Sequence, residues 1–383
     1  MAVAVSGGAD SLAAAWLTRD WALALGGRAV GLIVDHGLRP ESGAEAAWTA
    51  SVLASIGIAP VVLTLAGLSR GPGLAARARD ARHAAMEQAC FDRGILHLVF
   101  GHHASDQAET LLLRGAAGSG ERGLAGMAAL VETARICRLR PLLGIPPGRL
   151  RATLRAAGLG WLEDPSNKDV RAARVRARLR LNDPDGNGVE TRATCDRAAR
   201  LGARRQSRDA AIIDELAQRV RLHPEGYALL SPGRISPDAM AALLGTISGA
   251  IWPPSARAAA ALAADPCPAT LAGVRLLRAG RLGPGLLLVR EPAATARDQP
   301  AICGALWDGR FQLTADMPDG ATVGAWGQEA RGDRRGLPHT VLQGLPVVRH
   351  GGKVIAHGPG TVFAHRPRLW MTGGCFFPFA ADS

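Results

Sequence analysis

At 383 residues the chain exceeds what one compact core usually holds, so two or three domains of roughly 100–200 residues each are expected. With 48% apolar and 20% charged residues it is no disordered chain, and no run approaches the roughly 18 apolar residues of a membrane helix, so no membrane partner and a cytoplasmic location are expected. The net charge of +12 and pI near 10.8 exclude an acidic-surface protein and point to a polyanionic partner, with nucleic acid the natural one.

The basic residues are arginine except for Lys168 and Lys353, so base composition of the gene is the competing explanation of the charge. The six cysteines (Cys90, Cys137, Cys195, Cys267, Cys303, Cys375) form no CxxC pair and read as reduced structural thiols.

In chain order, short apolar runs predict strands over Ala2–Val5, Ala29–Val34, Pro60–Leu65 and Leu96–Gly101. Between them lie proline-free stretches predicting helices over Ser11–Leu25, Gly43–Ile56 and Gly73–Arg93. Such alternation predicts an α/β domain with a parallel, Rossmann-like sheet over 1–185 and its ligands at the carboxyl ends of the strands. A cluster of turn formers at Asn182–Gly188 precedes a long helical stretch reaching Arg221. A small helical or mixed domain is expected over 189–291, and a small β-rich domain over 300–383, for which Leu345–Arg349 and Lys353–His357 flank a glycine turn.

The first strand runs directly into Ser6-Gly7-Gly8-Ala9-Asp10-Ser11. Two glycines let backbone amides face an anion, the serines add hydroxyl donors, and the helix start adds partial positive charge, which together make a phosphate loop. A carboxylate at Asp10 beside a triphosphate needs a bridging cation, for which Mg²⁺ is the expected ion. No GK[ST] follows, so the loop is not of the Walker type. SGGxDS at this place resembles the loop of the N-type ATP pyrophosphatases (PP-loop superfamily), which implies ATP as substrate. Only five residues precede Ser6, so the first strand is short, as for a chain whose native start lies further upstream.

Further along stand Val34-Asp35-His36-Gly37-Leu38-Arg39-Pro40-Glu41-Ser42, then Gly101-His102-His103-Ala104-Ser105-Asp106-Gln107-Ala108-Glu109-Thr110 followed by Arg114. After these come Gly123–Met127, Arg140-Pro141-Leu142-Leu143 and Trp161–Asn167. On a helix, Asp106 and Glu109 share one face as a paired carboxylate site, suited to a substrate with two ammonium groups. Asp35 is a candidate for metal or nucleotide binding, and Arg39 for phosphate neutralisation. His102, His103 and Asp106 also allow a zinc reading, disfavoured because the cluster has no thiolate and the chemistry calls for oxygen-bound Mg²⁺. Gly118–Gly123 fits GxGxxG but follows a helix, with no helix plainly opening after it, so a dinucleotide site is not expected there.

Taken together, these segments closely resemble the tRNA(Ile)-lysidine synthetases across the first 180 residues. The resemblance implies ligation of free L-lysine to C2 of cytidine 34 in the CAU anticodon of tRNA(Ile), through an adenylated cytidine, with ATP giving AMP and pyrophosphate. It assigns Ser6, Gly7, Gly8, Ala9, Asp10 and Ser11 to ATP, Asp10, Asp35, Asp106 and Glu109 to catalysis, and Asp106 and Glu109 to lysine. Arg39, Arg114, Arg174 and Arg178 are the candidate tRNA or phosphate contacts, although Val175 stands where the family's run of basic residues usually has asparagine. The region beyond 188 would grip the tRNA body, and the family allows a homodimer. A related tRNA-thiolating enzyme and a noncatalytic RNA-binding protein are the alternatives; lysine dependence separates the first, and pyrophosphate release on adding tRNA the second.

Overall fold

The computed structural model describes residues 1–367 apart from 38–39, 66–70, 72, 134, 164–169, 251 and 333–335. Arg39 and the segment Asp164–Asn167 therefore lie outside the described residues, as does Cys375. The chain forms two compact units, Met1–Ser207 and Arg208–Ser383.

The first unit alternates strand and helix: β1 (Ala2–Val5), α1 (Ala9–Ala24), β2 (Val30–Asp35), α2 (Ser42–Ser55), β3 (Ala59–Thr64), α3 (Leu74–Asp92), β4 (His97–Val99) and α4 (Ala104–Ala116). There follow α5 (Glu121–Leu124), β5 (Leu130–Glu132), β6 (Cys137–Leu139), α6 (Pro147–Ala156), α7 (Ala173–Leu181) and α8 (Val189–Arg219), whose course crosses the division between the units. The sheet order is β3-β2-β1-β4-β6-β5, parallel except for the edge pair β5–β6. Adjacent strand residues bury themselves on opposite faces, as a covered parallel sheet demands. Val3, Val5, Ile33 and Val99 join Leu12, Leu53, Leu150 and Leu154 on one side. Ala2, Leu32 and Leu98 join Met86, Cys90, Phe100 and Ile136 on the other.

The direction of sheet growth reverses at β1, which lies between β2 and β4. In open α/β sheets that reversal opens a crevice at the carboxyl ends of the two flanking strands. Here it lies between the loop after β1 and the turn after β4. The turn is held close because Gly101 has no side chain: a Cβ there would lie 2.6 Å from the carbonyl oxygen of Asp10. The fourth strand, expected over Leu96–Gly101, is shorter and spans His97–Val99. In the GxGxxG segment, contrary to the sequence expectation, a short helix does open: Gly120 stands at the N-cap of α5.

In the second unit, β7 (Val220–Leu222), β8 (Ala228–Leu230), α9 (Pro237–Ser248), α10 (Ala256–Ala264), β9 (Ala269–Leu271), β10 (Val274–Arg278) and β11 (Leu286–Arg290) come first. Their five strands form an antiparallel sheet, β7-β8-β11-β10-β9. Helix α9 presses against it and buries Met240, Leu243, Leu244 and Ile247. Ser236 caps that helix by accepting from the Ala239 N–H at 3.2 Å. Then β12 (Gln299–Pro300), β13 (Leu306–Trp307), β14 (Phe311–Leu313), β15 (Thr322–Ala325), α11 (His339–Leu342), β16 (Pro346–His350), β17 (Lys353–His357) and β18 (Phe363–His365) make two small sheets, β12-β15-β16-β17 and β13-β14-β18. A separate core of Trp307, Phe311, Val323, Leu345 and Val347 holds them.

Candidate active site

The candidate phosphate loop is built by strand-to-helix geometry. Gly7 adopts φ +83°, and a Cβ there would meet Thr49 Oγ1 at 2.6 Å and Leu162 Cδ1 at 3.0 Å. Glycine is thus required twice over, by conformation and by space. The Leu162 N–H donates to the Gly7 carbonyl at 2.9 Å, which fixes the loop from outside. Ser11 Oγ donates to the Gly8 carbonyl at 2.9 Å and accepts from the Ser6 N–H at 3.1 Å, and the two serine hydroxyls lie 3.2 Å apart. Ser6, Gly7, Gly8, Ala9, Asp10 and Ser11 thereby form one rigid turn opening α1.

The turn after β4 brings a second set of groups to the same crevice. His103 is buried, with Nε2 3.4 Å from Asp10 Oδ2 and 3.5 Å from Asp106 Oδ2. Its backbone N–H donates to Asp106 Oδ2 at 3.1 Å and ties the carboxylate to the start of α4. Burial alone would lower the proton affinity of this imidazole, but the hydrogen bond to Asp10 and the charges of Asp106, Asp10 and Glu109 outweigh it and raise it. His102 goes the other way, pushed down to about 4 chiefly by burial, against the pull of Asp106.

One turn further along α4, Glu109 is fully buried. Oε1 accepts from Arg178 Nε at 2.8 Å, and Oε2 is buried with no hydrogen-bond partner. Burial raises the proton affinity of Glu109 and Arg178 opposes it. Arg178 comes from α7, which packs along α4, and Arg174 on the same helix adds its charge to the field at Glu109. The structure therefore brings Asp10, Asp106, Glu109, Arg174 and Arg178 together.

Asp35 stands at the end of β2. Oδ1 accepts from Ser42 Oγ at 2.6 Å and from the Gly37 N–H at 3.0 Å. The Ser42 bond first, then the Gly37 bond, hold its carboxyl below the ordinary range. Arg114 donates through one terminal nitrogen to the carbonyls of Gly123 at 2.8 Å and Gly126 at 2.9 Å, so it braces the α5 loop. Sequence reasoning did not single out Thr49 or Leu162, which close on Gly7, or the bridging position of His103. The adjacency of His103 and Asp106 was visible, but the approach of Asp10 is purely tertiary.

The sequence profile of the PP-loop domain family matches residues 1–184. A tRNA(Ile)-lysidine synthase of Ruegeria pomeroyi is 33% identical over 377 residues, covering 93% of this chain and 87% of that protein. Those of Hyphomonas neptunium and Bradyrhizobium diazoefficiens are 41% and 40% identical, over 64% and 52% of this chain. These two alignments span 67% and 56% of the respective relatives. A solved U34-tRNA thiolase of Methanococcus maripaludis aligns with TM-score 0.44 at 17% identity, over 53% of this chain and 70% of its own, a likeness too low to bear on fold or activity.

Proposed function

Because the chain belongs to the tRNA(Ile)-lysidine synthase family, we propose that it adenylates a cytidine of tRNA(Ile) with ATP and then joins free L-lysine to it. The observation that carries this reading is the meeting, in one crevice, of a phosphate loop and a buried carboxylate with an unpartnered oxygen. The first suits ATP, the second an amine.

In this reading the O2 oxygen of cytidine 34, in a CAU anticodon, attacks the α-phosphorus of ATP and pyrophosphate departs. The amides of Gly7 and Gly8 and the hydroxyl of Ser6 hold the departing phosphates, while Ser11, which donates its hydroxyl proton to the Gly8 carbonyl, keeps the loop in shape for the ATP. The ε-amine of lysine then attacks C2, AMP departs with the oxygen, and the amine proton passes to a carboxylate. Glu109, with its raised proton affinity and vacant Oε2, is suited to receive it. Asp106 holds the lysine with it. Mg²⁺ fits the donor set at Asp10, whose Oδ1 has no hydrogen-bond partner, since this ion takes one or two carboxylates and completes its shell with phosphate oxygens and water. When bound it would offset the charge of the phosphates. Asp35 supports the nucleotide from the end of β2, and Arg174 draws the RNA. The segments 189–291 and 300–383 act as two further domains against the tRNA body. Dimerisation and a cytoplasmic setting, where ATP, lysine and tRNA are all at hand, belong to the same reading.

The test is incorporation of radiolabelled lysine into an unmodified CAU-anticodon isoleucine tRNA, comparing wild type with Asp106→Ala. Label that requires ATP and disappears in the variant is the expected result. Cleavage of ATP on adding tRNA without any label would sink the lysine assignment and bring a thiolating activity forward.

A further inference from the structure

A strongly charged concavity lies outside the site above, between α3 and β6. It encloses about 320 Å³ and is lined by Arg79, Asp80, His83, Glu87, Arg138 and Arg140, within the size range, roughly 300–1,000 Å³, of small-ligand sites. We propose that this cleft holds a backbone phosphate of the substrate RNA beside the nucleotide that reacts, an assignment that rests on the tRNA-modifying function argued above.

Charge is the first support. Arg138 is occupied by Glu87, to which its Nε donates at 2.7 Å. Arg79 and the neighbouring Arg82 form no hydrogen bond or ion pair among the described residues, and Arg79 is exposed at the mouth. Arg140 is only 8% exposed, donates to the Ala128 carbonyl at 2.9 Å, and keeps a buried Nε without a partner. Three guanidinium groups, of Arg79, Arg138 and Arg140, share the cleft with two carboxylates, Asp80 and Glu87, and an entering phosphate relieves the remaining repulsion through charge-assisted bonds. The crowding registers on its members: burial first, then Arg138 and Arg79, push Arg140 down to about 10.

Position is the second support. The ring of His83 stacks on Phe100, centroids 5.3 Å apart, and Phe100 on His102 at 5.8 Å, so a row of rings leads from the cleft to the turn that carries His103 and Asp106. Arg79, Arg140, Arg174 and Asp106 all act electrostatically on His102. In the sheet, β6 lies two strands from β1, a step of about 10 Å. A nucleotide placed at the phosphate loop would thus have its chain neighbour within reach of the cleft. A free triphosphate is the rival source of the same chemistry, but the loop after β1 already offers it amides and hydroxyls.

The experiment uses the full chain and a tRNA(Ile) transcript with a CAU anticodon. Binding is measured over a series of salt concentrations, ATP affinity by equilibrium dialysis, and wild-type lysine incorporation in parallel. Arg79→Gln, at an exposed position with no partner to lose, is expected to weaken tRNA binding about three- to tenfold and to lower the slope of log K against log salt by about one, with ATP affinity unchanged. Glu87→Gln, which releases Arg138 to the ligand, is expected to tighten tRNA binding. Unchanged tRNA affinity and slope in Arg79→Gln would overturn the proposal, and so would weakened ATP binding with intact tRNA binding. Failure of the wild type to incorporate lysine strikes the functional reading alone if RNA binding still depends on Arg79.

Discussion

Arg178 reaches across from α7 to place its Nε 2.8 Å from Oε1 of Glu109, a carboxylate that is 0% exposed on α4. The pair joins two helices distant in sequence and leaves the second oxygen of Glu109 open. Arg178→Ala would strand a buried carboxylate, at a cost of about 1–2 kcal/mol, toward the low end because Arg178 is itself 43% exposed. Adding Glu109→Gln should restore most of that stability without restoring lysine incorporation. Urea unfolding of the single and double variants, set beside their activity, checks both halves.

His103 gives a pH dependence with a definite sign. Its proton affinity is raised in the folded state, so the stability it contributes is fully present below its unfolded value, about pH 6.5. That stability is lost as the pH climbs through the higher folded value. Wild type should therefore lose its advantage over His103→Asn as the pH rises above about 6.5. Asp10→Asn, which removes the main group raising the affinity, should move the imidazole titration downward in an NMR experiment. An unmoved titration would count against the bridge.

Gly7→Ala should abolish ATP binding and cost about 1–2 kcal/mol from the left-handed backbone alone. Gly26 makes the control, because it has a similar φ of +72° with open space around it. Gly26→Ala should pay a comparable backbone cost while ATP affinity, measured by dialysis, stays at the wild-type level.

In the second unit Asp308 is 3% exposed and serves two arginines. Oδ1 accepts from Arg290 at 3.0 Å, and Oδ2 from Arg310 Nε at 2.9 Å. Asp308→Asn keeps the shape, and asparagine tolerates the φ of +50°, but it leaves buried guanidinium charge without its counter-ion. A loss of about 3 kcal/mol or more is expected. Arg290→Met/Asp308→Asn/Arg310→Met, which removes every charge at once, should be more stable than Asp308→Asn in calorimetry.

The four strands that build the crevice were legible in the sequence to within a residue or two because both faces of a parallel sheet bury apolar side chains, giving runs such as Val30–Val34 bounded by polar turns. Strands β5 and β6, of three residues each, show no periodicity to read. The turn from Ser6 to Ser11 was legible as a unit because it is local, six residues in a row. What was not legible depends on packing. No spacing rule places Asp10 against His103, and a run of arginines on a helix reads the same whether solvent or Glu109 lies opposite Arg178. The arginines of α3 are a parallel case, since Arg138 and Arg140 meet them only through the sheet.

The sheet order also bears on how the chain reaches its native state. Strand β1 is central, pairing with β2 on one side and, through Ala2↔Leu98, with β4 on the other. Parallel partners so far apart in sequence are slow to find each other, since loop-closure entropy is lost before the pairing repays it. During synthesis the strand carrying the phosphate loop must leave one edge open until β4 has emerged, and β4 in turn waits for β6. The crevice beside β1 therefore cannot close before β4 has been made, and until then the nascent chain presents an unpaired strand edge of the sort that chaperones cover.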